Sequence, residues 1–113
     1  AIALSETKPI LRIIGSLQHP RHFKYFEFLV KRAREKRVKV EFYTNADRSK
    51  PVEMTTKSKV FVRITMFEHF GVAVVDGIAA GCPIIVHKSG GPYEDIIDFG
   101  KYGLYFETVE ELA

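Results

Sequence analysis

The sequence predicts an α/β fold, a parallel sheet with helices on both faces, and three observations carry that prediction. Apolar residues spaced for helices alternate with short apolar runs from end to end. Several of those runs are unbroken, as in Pro83-Ile84-Ile85-Val86, the pattern of a strand buried on both faces. Glycine, proline and asparagine punctuate the boundaries.

Ile10–Ile14 reads as the first strand and stops at Gly15-Ser16. Phe23, Phe26, Leu29, Val30 and Ala33 then recur at helical spacing, with Glu27 four residues before Lys31 on the outer side. Val38, Val40 and Phe42 alternate with polar neighbours in a second strand, ended by Asn45-Ala46-Asp47. Pro51 suits the first turn of a short helix through about Ser58, and Val60–Val62 with Ile64 makes a third strand. A helix over Phe70–Ala80 follows, with Gly81 as its C-cap. After the Pro83–Val86 strand, Gly90-Gly91-Pro92 turns the chain into a helix ending near Phe99-Gly100, and Gly103–Phe106 gives the last strand.

The chain has 113 residues, room for one domain, and 1–113 is read as a single domain. At 46% hydrophobic and 27% charged the composition excludes disorder, and no apolar stretch is long enough to span a membrane. Ala1-Ile2-Ala3-Leu4 is not a signal peptide, because no basic segment or cleavage region surrounds it. Thr108–Ala113 reads as the opening turn of a helix, so the chain is expected to be a piece of something larger. Cys82 is the single cysteine and cannot form an internal disulfide. A reducing, cytoplasmic setting is expected, the cytoplasmic face of a membrane included. Net charge is +3, with Lys31, Arg32, Arg34, Lys36, Arg37 and Lys39 clustered against Glu35. That run fits cations at a helix C-terminus better than a nucleic-acid patch, since no aromatic residue interleaves it.

In an open parallel sheet, ligands bind beyond the C-terminal ends of strands. The loops from Gly15 to His22, Thr65 to Gly71 and His87 to Pro92 therefore draw attention. In the second, Glu68 precedes a helix with Gly71 in its first turn, and Asp76 follows Glu68 by eight residues. Free amides at a helix start bind phosphate, and eight helical residues rise about 12 Å, a span comparable to a sugar nucleotide's. On spacing alone, Glu68 and Asp76 serve equally well as surface carboxylates. His19 and His22 could ligate a metal but have no third ligand near them in sequence. His87 reads as a satisfied polar residue and Cys82 as core filler. Phe23 and Phe26 belong to the core stripe, leaving Tyr25 and Phe28 as candidates for a partner surface.

Glu68-His69-Phe70-Gly71-Val72 through Asp76, then Ala79-Ala80-Gly81-Cys82-Pro83-Ile84-Ile85 and Ser89-Gly90-Gly91-Pro92-Tyr93-Glu94-Asp95-Ile96-Ile97, form an ordered set that continues to Glu110-Glu111-Leu112. The set resembles the group-1 retaining glycosyltransferases of two-domain GT-B fold, and Ser-Gly-Gly-Pro is most similar to the mannosyltransferase branch. The resemblance implies a Rossmann-like, somewhat shortened C-terminal half that binds a nucleotide-sugar donor for retaining hexosyl transfer to a hydroxyl acceptor. Glu68 would contact the sugar and Asp76, one methylene shorter than the usual Glu, the ribose. The backbone of Phe70, Gly71 and Val72 would hold the β-phosphate. Where the family has Gly-Arg and a later Lys on the diphosphate, this chain has Gly15-Ser16, so that the Arg is missing, and Arg21, with Lys24 further along, would stand in for the Lys. Neither a metal nor another cofactor is implied, and the acceptor site would lie on an N-terminal domain outside this chain, which alone would bind without catalysing. The alternatives are a non-catalytic relic of the same fold or nucleic-acid binding through residues 31–39.

Overall fold

The computed structural model describes residues 6–47 and 49–113, so the reading of Ala1-Ile2-Ala3-Leu4 lies outside the described residues. The chain forms two compact units, one N-terminal to Ser49 and one over Ser49–Leu112. Among the described residues, five strands divide between two parallel sheets, of two and three strands.

The first unit is a strand–helix–strand. Strand β1 (Leu11–Gly15) pairs in parallel with β2 (Val40–Thr44), Leu11 opposite Val40 and Gly15 opposite Thr44. Helix α1 (Pro20–Glu35) connects them, as parallel pairing requires a crossover. Phe26 meets Phe42 of β2 edge to face at 5.1 Å between ring centres. The predicted stripe is only partly covered: Phe26, Leu29, Val30 and Ala33 are half-buried, but Phe23 is exposed, contrary to its expected place in the core. Tyr25 and Phe28 are exposed as expected and stack on each other. Arg32 and Arg34 lie in the last turn of α1, where the helix dipole favours them, and Arg32 pairs with Glu35.

The second unit carries α2 (Ser49–Thr56), β3 (Phe61–Arg63), α3 (Val72–Ala79), β4 (Ile84–His87), β5 (Leu104–Phe106) and α4 (Val109–Leu112). Its sheet has the order β3-β4-β5, all parallel, with Arg63 opposite Val86 and His87 opposite Phe106. Val74 of α3, Ile84 and Val86 of β4, and Ile97 form the buried core, with Phe61, Tyr93 and Ile96 against it. Gly77 lets α3 lie close on the sheet, because a Cβ there would stand 2.8 Å from Ile84 Cδ1. Gly81 ends α3 at φ +72°, its amide on the Ile78 carbonyl, as the glycine predicts. Thr108 and Glu111 cap α4 reciprocally: Glu111 Oε2 accepts from the Thr108 amide at 3.4 Å, and the Glu111 amide donates to Thr108 Oγ1 at 3.2 Å.

Two expectations are corrected. The helix predicted from Phe70 begins at Val72, because Gly71 sits at φ +93° and cannot join a right-handed helix. The helix predicted after Gly90-Gly91-Pro92 is instead two tight turns, a π-turn over Pro92–Ile96 and a 3-10 turn over Asp98–Gly100. The Ile97 amide reaches back five residues to the Pro92 carbonyl at 3.1 Å, and the widened turn seats Ile97 fully in the core.

Candidate functional site

The loop from Arg63 to Gly71 leaves the C-terminal end of β3 and enters α3. Its conformation is set by the segment that follows β4. Ser89, nearly buried, accepts the Phe67 amide on Oγ at 3.0 Å and pairs with His87 Nδ1 at 2.8 Å. The Gly91 amide donates to the Glu68 carbonyl at 2.9 Å. Gly90 and Gly91 admit this contact because they lack side chains: a Cβ on either would collide with the Glu68 or His69 carbonyl. Ser89-Gly90-Gly91-Pro92 is therefore the seat on which the Glu68 loop rests.

Glu68 is held from the other side by Arg63. The guanidinium donates from Nε to Oε2 at 2.8 Å and from Nη2 to Oε1 at 2.7 Å, a two-pronged ion pair with both side chains partly buried. These hydrogen bonds hold the Glu68 carboxyl below its usual 4.5, partial burial opposing and the charge attraction assisting. A carboxyl depressed in the fold stabilises it above the usual value and loses that contribution as pH falls through the depressed one. The stability gap between the wild-type chain and Glu68→Gln should thus be constant at neutral pH and shrink under acid. Thermal unfolding of both between pH 7 and pH 3 checks this.

Gly71 joins the carboxylate to the helix start. The position of a Cβ on Gly71 lies 3.5 Å from Glu68 Oε2 and 2.8 Å from the Pro92 ring. No side chain caps α3; its Val74 amide donates to the Gly71 carbonyl at 2.9 Å, which leaves the amides nearer Gly71 as the ones a ligand could meet. Phe70 and Val72 flank this point, both exposed. Asp76 is also exposed, in the second turn of α3. The expected 12 Å of helix between the two carboxylates is corrected, since helix covers only Val72 to Asp76, a rise of about 6 Å.

The remaining predicted site residues belong to the first unit. Gly15 ends β1 with open space where a Cβ would be. Arg21 and Lys24 are exposed in the first two turns of α1. The loop between β1 and α1 is braced by Asn45, whose Oδ1 accepts from the Leu17 amide at 2.8 Å and from Ser16 Oγ at 3.3 Å. His19 and His22 are capping residues: His19 Nδ1 accepts from the Arg21 amide and His22 Nδ1 from the Gln18 amide. Among the described residues no group of three potential metal-binding side chains occurs, and no helix is long and apolar enough to cross a membrane. Cys82 is buried with its thiol on the Ser58 carbonyl at 3.6 Å, and burial pushes that thiol up, away from the nucleophilic form.

Sequence reasoning missed Arg63 and the Ser89 hydroxyl. A charge closing the apolar run Val60-Phe61-Val62 was the available signal for Arg63. Ser89 gave none beyond its place in the glycine segment.

The acidic loop and the glycine-started helix lie beyond the C-terminal end of β3, where open parallel α/β sheets commonly place their ligands. The sequence matches the model of the family "Glycosyl transferases group 1" over residues 1–113, and the chain belongs to that family, whose domain has the GT-B fold. It is 37% identical over 78 residues to "GDP-Man:Man(3)GlcNAc(2)-PP-Dol alpha-1,2-mannosyltransferase" of Neurospora crassa, covering 66% of this chain and 14% of that protein. It is 40% identical over 52 residues to "Probable sucrose-phosphate synthase" of Thermosipho melanesiensis, covering 46% and 12%. It is 46% identical over 48 residues to "Alpha-1,3/1,6-mannosyltransferase ALG2" of Dictyostelium discoideum, covering 42% and 11%. The chain thus spans less than a fifth of the length of these relatives. No solved structure matches it.

Proposed function

We propose that this chain is the donor-binding part of a retaining glycosyltransferase and holds a nucleoside diphosphate sugar at the start of α3. The observation that carries the reading is the Glu68 carboxylate fixed beside Gly71 and the uncapped helix start. Glu68 accepts sugar hydroxyls, Asp76 accepts ribose hydroxyls, and the amides at Phe70, Gly71 and Val72 stabilise charge growing on the leaving diphosphate. In this reading the diphosphate roles of Gly15, Arg21 and Lys24 come from the resemblance alone. The acceptor, a hydroxyl on a glycan, lipid or small molecule, is engaged by another part of the whole protein, so this chain binds without catalysing. Both mannosyl relatives, and the GDP-Man in one relative's name, make GDP-Man the first donor to test. A cytoplasmic location, the cytoplasmic membrane face included, belongs to the same proposal and agrees with a single buried thiol.

Calorimetry of the chain with GDP, UDP and ADP, and with GDP-Man, tests the reading. One nucleotide should bind at millimolar concentration or below. Asp76→Ala should weaken both nucleotide and sugar nucleotide by about tenfold, the loss of hydrogen bonds to a charged group. Glu68→Ala should weaken only the sugar nucleotide. Absence of binding by all three nucleotides would overturn the proposal.

A further inference from the structure

We infer that Arg63 is a positioning residue that presents the Glu68 carboxylate to the hydroxyls of a bound sugar, governing sugar recognition while leaving nucleoside diphosphate binding untouched. The inference rests on the donor-site reading above and adds a residue that neither the resemblance nor the relatives supply.

The geometry supports it at three levels. Both ends of the pair have anchored backbones. Arg63 closes β3 opposite Val86, which is fully buried in the middle strand of the sheet, and the Glu68 carbonyl is tied to the Gly91 amide. The fork occupies one acceptor site on each carboxylate oxygen, and an ionised carboxylate has about four, so each oxygen can still accept a hydroxyl. A glutamate without such a partner would have to be ordered at the moment of binding, losing rotamer entropy that the fork has already removed. The guanidinium also keeps the group ionised, the form that accepts from hydroxyls most strongly.

A purely structural ion pair would make a different prediction. Removing it would loosen the loop as a whole, including the Gly71 amide region, and would weaken nucleotide and sugar nucleotide together.

The test compares GDP with GDP-Man by calorimetry on the wild-type chain, Arg63→Met and Arg63→Lys. Arg63→Met should lower GDP-Man affinity about tenfold and leave GDP affinity unchanged. Arg63→Lys should recover part of the loss, since an ammonium keeps the charge but cannot grip both oxygens. The preference for GDP-Man left in Arg63→Met should fall away as pH drops through the ordinary carboxyl range, while the wild-type preference persists to lower pH. Equal weakening of both ligands, or of neither, overturns the inference. If Arg63→Met does not fold, the Arg63→Lys comparison decides by the same criterion. If the wild-type chain binds no nucleotide, the donor reading itself fails and the inference falls with it, a result distinct from retained GDP binding with an unchanged GDP-Man preference.

Discussion

Gly91→Ala should destabilise the second unit by about 3–5 kcal/mol and abolish the ligand binding proposed for the Glu68 loop. The residue does not need to be glycine for its dihedral angles: φ −55° and ψ −40° are ordinary helical values open to alanine. It needs to be glycine for space. A Cβ there would overlap the His69 carbonyl and stand 2.8 Å from the His69 carbonyl carbon and 2.9 Å from Phe70 Cα. All three obstacles are backbone, so no rotamer change relieves the clash. The loop must move off the Ser89–Pro92 segment, and the Gly91–Glu68 and Phe67–Ser89 hydrogen bonds lengthen or break with it. Gly15→Ala is the control. Gly15 has nothing within 4 Å of the added carbon, and its effect should fall within about 0.5 kcal/mol of zero. Urea unfolding of the two variants, with amide exchange on β4 as a local probe, separates them. A Gly91→Ala chain as stable as Gly15→Ala would show that the loop can rise from its seat at no cost.

The same residues show what was legible in the sequence. Periodicity located the helices at α1 and α3, and unbroken apolar runs located β3 and β4, because those patterns record burial directly. It misplaced the start of α3 because apolar spacing continues through Phe70 while Gly71 stands in a left-handed conformation that spacing does not record. It read one helix after Pro92 because the turn residues Gly90-Gly91-Pro92 and Phe99-Gly100 mark only its two ends. What decides the matter is the Ile97 amide choosing the carbonyl five residues back, a consequence of tertiary packing. The candidate site was legible as a motif, with Glu68, Gly71 and Asp76 named. Its rigidity was not, since Arg63 and Ser89 act through contacts made across strands and loops. Phe23 illustrates the converse: helical spacing assigned it to the core stripe, yet only the part of that stripe nearer Phe42 is covered.

Ile97→Ala should cost about 2–5 kcal/mol, and Ile97→Val about 0.5–1.5 kcal/mol, because Ile97 is fully buried among Val74, Ile84 and Val86. The space it leaves cannot collapse easily. Its backbone holds both neighbouring turns: the amide binds the Pro92 carbonyl, and the carbonyl accepts from the Gly100 and Tyr102 amides at 3.1 and 3.0 Å. Gly103 has already brought the chain against its side chain, with a Cβ at that position only 2.8 Å from Ile97 Cγ2. The route from this core position to the site is short. Ile97 fixes the π-turn, the π-turn begins at Pro92, and the Pro92 ring backs Gly71 at the start of α3. Two mechanisms then predict different binding behaviour. If the substitution acts only through the folding equilibrium, nucleotide affinity falls by the folded fraction and recovers on cooling toward maximum stability. If the π-turn relaxes within the folded state, Pro92 shifts, the amides at Gly71 lose their fixed direction, and affinity stays reduced however completely the chain is folded. The hydrogen bonds that Ile97 makes through its backbone survive the substitution, which favours the first mechanism. Nucleotide titrations of Ile97→Ala and Ile97→Val at two temperatures, alongside their unfolding curves, should therefore show affinity following the folded fraction. Weakened binding in a fully folded Ile97→Ala chain would instead place the core residue in direct mechanical support of the site.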